Sequence, residues 1–149
     1  MLLRDICTPD IATCTPATTV LAAARTMRHL HVGDLVVVDE AGGAGAPLGV
    51  ITDRDIVIEV LGKELDPATV RVDQVMRKPV VLVRGSEDAA QALERMRTHG
   101  VRRVPVVGDD QRLIGIISLD DLLRQLALDA HALAEVVASE QNHERRARR

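Results

Sequence analysis

The chain is 149 residues long, 46% hydrophobic, and contains no Phe, Trp or Tyr. Its length fits one compact domain, and its core must be built from Val, Ile, Leu, Ala and Met, with no ring to stack on a ligand. A formal net charge of -3 gives no general attraction for phosphate backbones or anionic lipid, which argues against a nucleic-acid or membrane partner.

No apolar run reaches the length of a membrane span, and no cationic start leads into a signal-type segment, so a cytoplasmic protein is expected. Cys7 and Cys14 are too few for a secreted disulfide framework. A reducing compartment keeps them as thiols, although their closeness in sequence leaves a bridge open.

In chain order, the first expected element is a short extended run at 11–13, formed by Ile11, Ala12 and Thr13. It leads into a helix whose apolar positions Val20, Ala23, Ala24 and Met27 recur at helical spacing. A buried-type strand at 35–38, a glycine-rich turn at 39–47 and a second strand at 48–51 follow, and Thr52 is suited to cap the next helix. After a linker, residues 72–76 are expected to form a short helix that introduces a second series. That series runs through Val80, Val81, Leu82 and Val83, a helix carrying Ala89, Ala92, Leu93 and Met96, strands at 104–107 and 113–117, and a helix opened by Ser118.

The last helix keeps an apolar stripe through Leu119, Leu122, Leu123, Leu126, Leu133 and Val137. Such a stripe must be covered, either by folding back on its own core or by a second copy of the chain. The end at 140–149, with Arg145, Arg146, Arg148 and Arg149, reads as a solvated charged tail.

The two series are one unit repeated. An offset of 69 residues places Ala23 on Ala92, Met27 on Met96, Arg28 on Arg97, Val32 on Val101, and Val37 and Val38 on Val106 and Val107. Beyond the shorter second turn the offset is 66, and Gly49, Thr52, Asp55 and Ile56 fall on Gly115, Ser118, Asp121 and Leu122. The unit is β-α-β-β-α, an α/β (α+β) arrangement. Residues 1–63 form the first copy, 64–72 a linker, 73–127 the second copy, and 128–149 an extension.

Both copies end on a hydroxyl-x-x-Asp start to their second helix. Helix amides and the positive end of the dipole favour phosphate, the hydroxyl can bond an oxygen, and the carboxylate can accept both hydroxyls of a ribose. The same spacing also serves a capping box, in which the acid reaches back to the cap's own amide, and a duplication duplicates its caps. Spacing alone leaves both uses open.

The sequence resembles a tandem pair of cystathionine β-synthase (CBS) domains, a Bateman module. The resemblance rests on Val32-Gly33-Asp34-Leu35-Val36-Val37-Val38-Asp39 with Gly49-Val50-Ile51-Thr52-Asp53-Arg54-Asp55-Ile56 in one copy. In the other it rests on Gly100-Val101-Arg102-Arg103-Val104-Pro105-Val106-Val107 with Gly115-Ile116-Ile117-Ser118-Leu119-Asp120-Asp121-Leu122. It covers about residues 1–127. It implies two units packed about a pseudo-twofold axis that bind adenosine-containing ligands: AMP, ADP, ATP, S-adenosylmethionine or a dinucleotide. By the same resemblance Asp55 and Asp121 hold ribose, Thr52 and Ser118 lie near ribose or phosphate, and Ile11, Ala12, Thr13, Ile51, Val80, Val81, Leu82 and Ile117 surround the base.

Basic residues before the second strand meet phosphate in similar proteins, which points to Arg102 and Arg103, whereas the counterpart of Arg103 is Asp34. Two unequal clefts are therefore expected, one bordered by Arg102 and Arg103 and taking the phosphate-bearing ligand, the other bordered by Asp34. On residue type alone both arginines also fit a solvated rim. Cys7, Cys14, His29, His31 and His99 match no common metal spacing, and no nucleophile with its base and orienter is visible. The expectation is a non-catalytic ligand sensor with no required cofactor and no metal. It forms a homodimer, and its regulated protein is a separate chain. The rival is a dimeric interaction protein with empty clefts that acts through its C-terminal helix, and a third reading is a metal-binding stress protein that would use those Cys and His side chains.

Overall fold

The computed structural model describes residues 1–39 and 45–147. Part of the glycine-rich turn, together with Arg148 and Arg149, lies outside the described residues. The first unit contains β1 (Thr13–Cys14), α2 (Val20–Leu30), β2 (Asp34–Val38), β3 (Pro47–Thr52) and α3 (Asp53–Ile56), and it is preceded by α1 (Leu3–Ile6). The second contains β4 (Val83–Arg84), α4 (Ala89–His99), β5 (Arg103–Val107), β6 (Leu113–Ser118) and α5 (Leu119–Ala147). Each unit has a three-stranded sheet, ordered β1-β2-β3 or β4-β5-β6, with the first pair parallel and the second antiparallel.

The helices form where the apolar spacing places them, and their ends follow local chemistry. Thr19 caps α2 by accepting from the Ala22 amide at 3.2 Å, and Asp88 caps α4 in a reciprocal box with Gln91. Both helices stop on a left-handed residue: Gly100 in the second copy, with φ of 64°, and His31 in the first, with φ of 55°. The leading strands are shorter than the runs at 11–13 and 80–83, and pairing begins only at Thr13 and Val83. Upstream residues approach the sheet without joining it, and Ile11 packs instead into a cluster of Val36, Val38 and Leu113 that joins the two sheets.

In each unit a helix packs on one face of the sheet. Val20, Ala23, Met27, Leu35, Val37 and Ile51 build the first core, and Val83, Ala92, Met96, Val104, Val106 and Ile117 the second. The leading segments change places. Leu3 of α1 is fully buried in the second core, while Val72, in a short 3-10 turn at Val72–Gln74, is fully buried in the first. The exchange is symmetric in its hydrogen bonds: Thr8 and Ile116 bond each other's backbone at 2.9 Å both ways, and Arg77 and Val50 do so at 2.9 and 3.4 Å.

This exchange accounts for the motif glycines. A Cβ on Gly49 would stand 2.8 Å from the Met76 sulfur and 2.9 Å from the Arg77 carbonyl, and one on Gly115 would run into the Cys7 thiol. After α3 the helix widens into a π turn at Val57–Leu61. The long α5 does not fold back. Leu119 and Leu122 touch the second core, but Leu123, Leu126, Leu133 and Val137 are more than half exposed.

Candidate functional site

Both hydroxyl-x-x-Asp starts are built as capping boxes. The Asp55 amide donates to Thr52 Oγ1 at 3.1 Å, and Asp55 Oδ2 accepts from the Thr52 amide at 3.0 Å and its hydroxyl at 2.8 Å. Ser118 and Asp121 repeat these three bonds at 3.1, 2.9 and 2.5 Å. Each helix start is tied across its sheet, with the Asp53 amide on the Gly33 carbonyl at 2.9 Å and the Leu119 amide on the Arg102 carbonyl at 2.8 Å. Thus one backbone hydrogen bond ties the turn before β2 or β5 to the helix after β3 or β6.

Between the units lies a cleft of about 570 Å³, a size typical of small-molecule sites. The first unit contributes Gly33, Asp34, Val50, Thr52, Asp53 and Arg54, and the crossing segment contributes Arg77, Pro79, Val80 and Val81. The second unit contributes Gly100, Val101, Arg102, Arg103, Pro105 and Asp120. The first unit therefore supplies both its helix start and its approach to β2, and the second its approach to β5 together with Asp120 of its helix start. Aliphatic walls of Val50, Val80, Val81, Val101 and two prolines adjoin four guanidinium groups and three carboxylates. Among the described residues Arg54 has no ion-pair partner.

The expectation of one cleft bordered by Asp34 and another by Arg103 is corrected here. The two residues stand 69 apart as repeat mates, and Arg103 Nη1 donates to Asp34 Oδ1 across the pseudo-axis, so both border the same cleft. Sequence matching set them on separate sites because equivalent positions near a twofold axis meet each other, which a linear alignment does not convey. Asp34 is 9% exposed and Arg103 46%. Burial raises the Asp34 carboxyl above its ordinary range, and the nearby Asp53 adds to this, while Arg103 pulls the other way. Arg102 reaches only 3.8 Å from the exposed Asp120, a weak surface pair.

Of the residues singled out from sequence, Thr52, Val80, Val81, Arg102 and Arg103 border the cleft. Asp55 stands behind it, 6% exposed, with Oδ1 accepting from Arg77 Nε at 2.9 Å. Ile51 and Ile117 are fully buried in the two cores, and the Leu82 carbonyl accepts from Arg95. The Ala12 carbonyl accepts from the Val36 amide at 3.0 Å, and Thr13 pairs in β1. Ser118 and Asp121 do not border this cleft, and Asp121 Oδ1 accepts from the exposed Arg124 at 3.3 Å.

Arg54 and Arg77 were missed. Arg54 was legible beside Asp55 in the motif, whereas Arg77 sits in the crossing segment, which no motif marks. Cys7 and Cys14 are free thiols. Burial pushes Cys14 up to about 11, and burial with the carboxylates of Asp121 and Asp5 raises Cys7, so neither is activated as a thiolate at neutral pH. Among the described residues no three His, Cys, Asp or Glu side chains gather as a metal group, and no helix is long and apolar enough to cross a membrane.

The CBS domain family model matches residues 3–62 and 72–128. An uncharacterised protein of Methanopyrus kandleri, MK0525, is 33% identical over 120 residues, which is 80% of this chain and 60% of that protein. Hypoxic response protein 1 of Mycobacterium tuberculosis is 34% identical over 134 residues, 90% of each chain. The crystal structure of Hypoxic Response Protein I with two coordinated zinc ions superposes with a TM-score of 0.74 at 32% identity, covering 83% of this chain and 98% of that one. The CBS domain pair of protein MJ0100, solved with 5'-methylthioadenosine and S-adenosyl-L-methionine, gives a TM-score of 0.73 at 25% identity over 85% of this chain and 99% of that one. Two matched segments, each folding as β-α-β-β-α and together enclosing an inter-unit cleft, make this chain a member of the CBS domain family carrying a pair of the domains.

Proposed function

We propose that this protein is a non-catalytic regulatory module of the cytoplasm. It binds an adenosine-containing ligand between its two CBS units and passes the binding state to a separate protein. The observation that carries the reading is the inter-unit cleft, where aliphatic walls suited to a base adjoin guanidinium groups suited to phosphate. The adenosyl ligands of the MJ0100 pair support the ligand class. In this reading Thr52, Asp55, Arg102, Arg103, Val80 and Val81 serve this cleft. Ser118, Asp121, Ile11, Ala12 and Thr13 serve its pseudo-symmetric counterpart, and Leu82, Ile51 and Ile117 give backbone support. Because the cleft walls belong to both units, a ligand that favours one spacing of the units shifts their arrangement, which is how an energy-state signal would leave the site.

A dye-reported thermal-shift series with AMP, ADP, ATP, S-adenosylmethionine and NAD tests it, since a ligand bound only by the folded state raises its apparent stability. At least one should raise the melt, and Asp55→Ala or Asp121→Ala should remove the gain. A flat series, or a gain untouched by both variants, overturns the proposal. A second reading, an interaction protein acting through α5 as a homodimer, is favoured by the exposure of Leu126 at 64% and Leu133 at 70%.

A further inference from the structure

Asp55 and Asp121 are repeat mates in matching caps, yet their free oxygens meet different neighbours. Asp55 Oδ2 is committed to Thr52, and Oδ1, the oxygen left for a ligand, is held by Arg77 Nε at 2.9 Å. The carboxylate is buried and Arg77 is 55% exposed on the cleft wall. Arg77 is fixed at its backbone by the pairing with Val50, which sets its side chain on the cleft wall, where it reaches Asp55. The residue paired in the same way with Ile116 on the other side is Thr8, which carries no charge.

We infer that Arg77 is a selector for anionic ligands in the Asp55 cleft, exchanging its bond to Asp55 for one to the ligand's phosphate or carboxylate when ribose hydroxyls reach the aspartate. The inference rests on the proposed adenosine site. Stripping the cation from a buried carboxylate and offering only neutral hydroxyls is unfavourable. A neutral nucleoside therefore competes with Arg77 and gains little. A nucleotide brings its own anion, so the displaced guanidinium regains a charge-assisted partner. Neither Nη of Arg77 has a partner among the described residues, which leaves the fork free for a bidentate grip. On the Asp121 side the free oxygen meets Arg124 of its own helix at 3.3 Å, a longer contact from an arginine 72% exposed, so that side is held more loosely and should discriminate less.

Calorimetric titration of the full chain with adenosine and AMP reads this, with the Asp55 site assigned as the one lost in Asp55→Ala. In the natural chain AMP should bind at that site at least about tenfold more tightly than adenosine, the worth of one charge-assisted hydrogen bond. Arg77→Gln should tighten adenosine and bring the ratio down toward unity, while Arg77→Lys, which keeps the cation, should retain most of it. If neither probe binds, the proposed site and this inference fall together. If both bind but Arg77→Gln leaves the ratio unchanged, or Arg77→Lys is as permissive as Arg77→Gln, the selector is overturned and the adenosine site stands.

Discussion

Replacing Arg103 with Met removes the cation that faces Asp34 across the pseudo-axis and leaves a carboxylate at 9% exposure. Breaking a fully buried pair this way costs about 3–5 kcal/mol. Arg103 is 46% exposed, so water takes over part of its role and the loss is discounted. A fall of about 1–2 kcal/mol is expected, or about 3–6 °C in melting temperature for a chain of this size.

The loss should depend on pH with a definite sign. Because burial raises the folded-state carboxyl of Asp34, the folded state holds its proton where the unfolded state has lost it, so stability falls as pH rises through that interval. The penalty is absent below the unfolded carboxylate range and complete above the raised folded-state value, so the variant should approach the natural chain in acid and diverge at neutral pH. Asp34→Asn should cost less, since it leaves only a half-exposed cation, and combined with Arg103→Met it should recover much of the loss. Far-UV circular dichroism melts at several pH values measure all three, as the chain has no Trp, Tyr or Phe to report. Equal losses for the two single variants, or a loss constant with pH, would refute the account of a buried acid held by a half-exposed base.

Gly115→Ala drives a Cβ into the Cys7 thiol, with the Cys7 Cβ at 3.0 Å and the Thr8 carbonyl at 3.2 Å, and should destabilise the chain by about 1–3 kcal/mol; Cys7→Ala added to it should return part of the loss in the same melts. His31→Gly should raise stability by about 0.5–1 kcal/mol, because His31 holds a left-handed φ of 55° where the second copy uses Gly100; an unchanged or lowered melt would contradict that. Leu133→Glu, at a position 70% exposed on α5, should leave the melt of a monomer unchanged and lower the mass seen by light scattering if a second copy covers the stripe. Reaction of Cys14 with a disulfide reagent should be slow at neutral pH and accelerate toward about 11, where its thiol ionises.

Much of the fold was legible because repeat spacing and helical periodicity are properties of the chain itself. Val20, Ala23 and Met27 announced α2, and Gly49 and Gly115 marked equivalent strands. The site was legible only where its residues lie within one motif, as Thr52 and Asp55 do. What escaped was set by distance along the chain. Arg77 reaches Asp55 from 22 residues away, and Arg103 reaches Asp34 from 69. Neither contact has a local period to betray it, because each exists only once the crossing segments and the pseudo-axis are in place. The leading strands were read too early for a related reason: Ile11 is apolar because it packs into the cluster between the two sheets, and apolar character does not say whether a residue joins a sheet or lies between two.

The exchange of leading segments gives synthesis a direction. Val72 and Met76 complete the first core, so that unit can close once residue 77 has left the ribosome, with only the segment around Leu3 unspent. Leu3 belongs to the second core, whose strands β5 and β6 are made well after it, so the segment around Leu3 must wait for them. For that interval the segment around Leu3 carries an apolar side chain with no home, and it is open to capture by another copy until the second unit arrives.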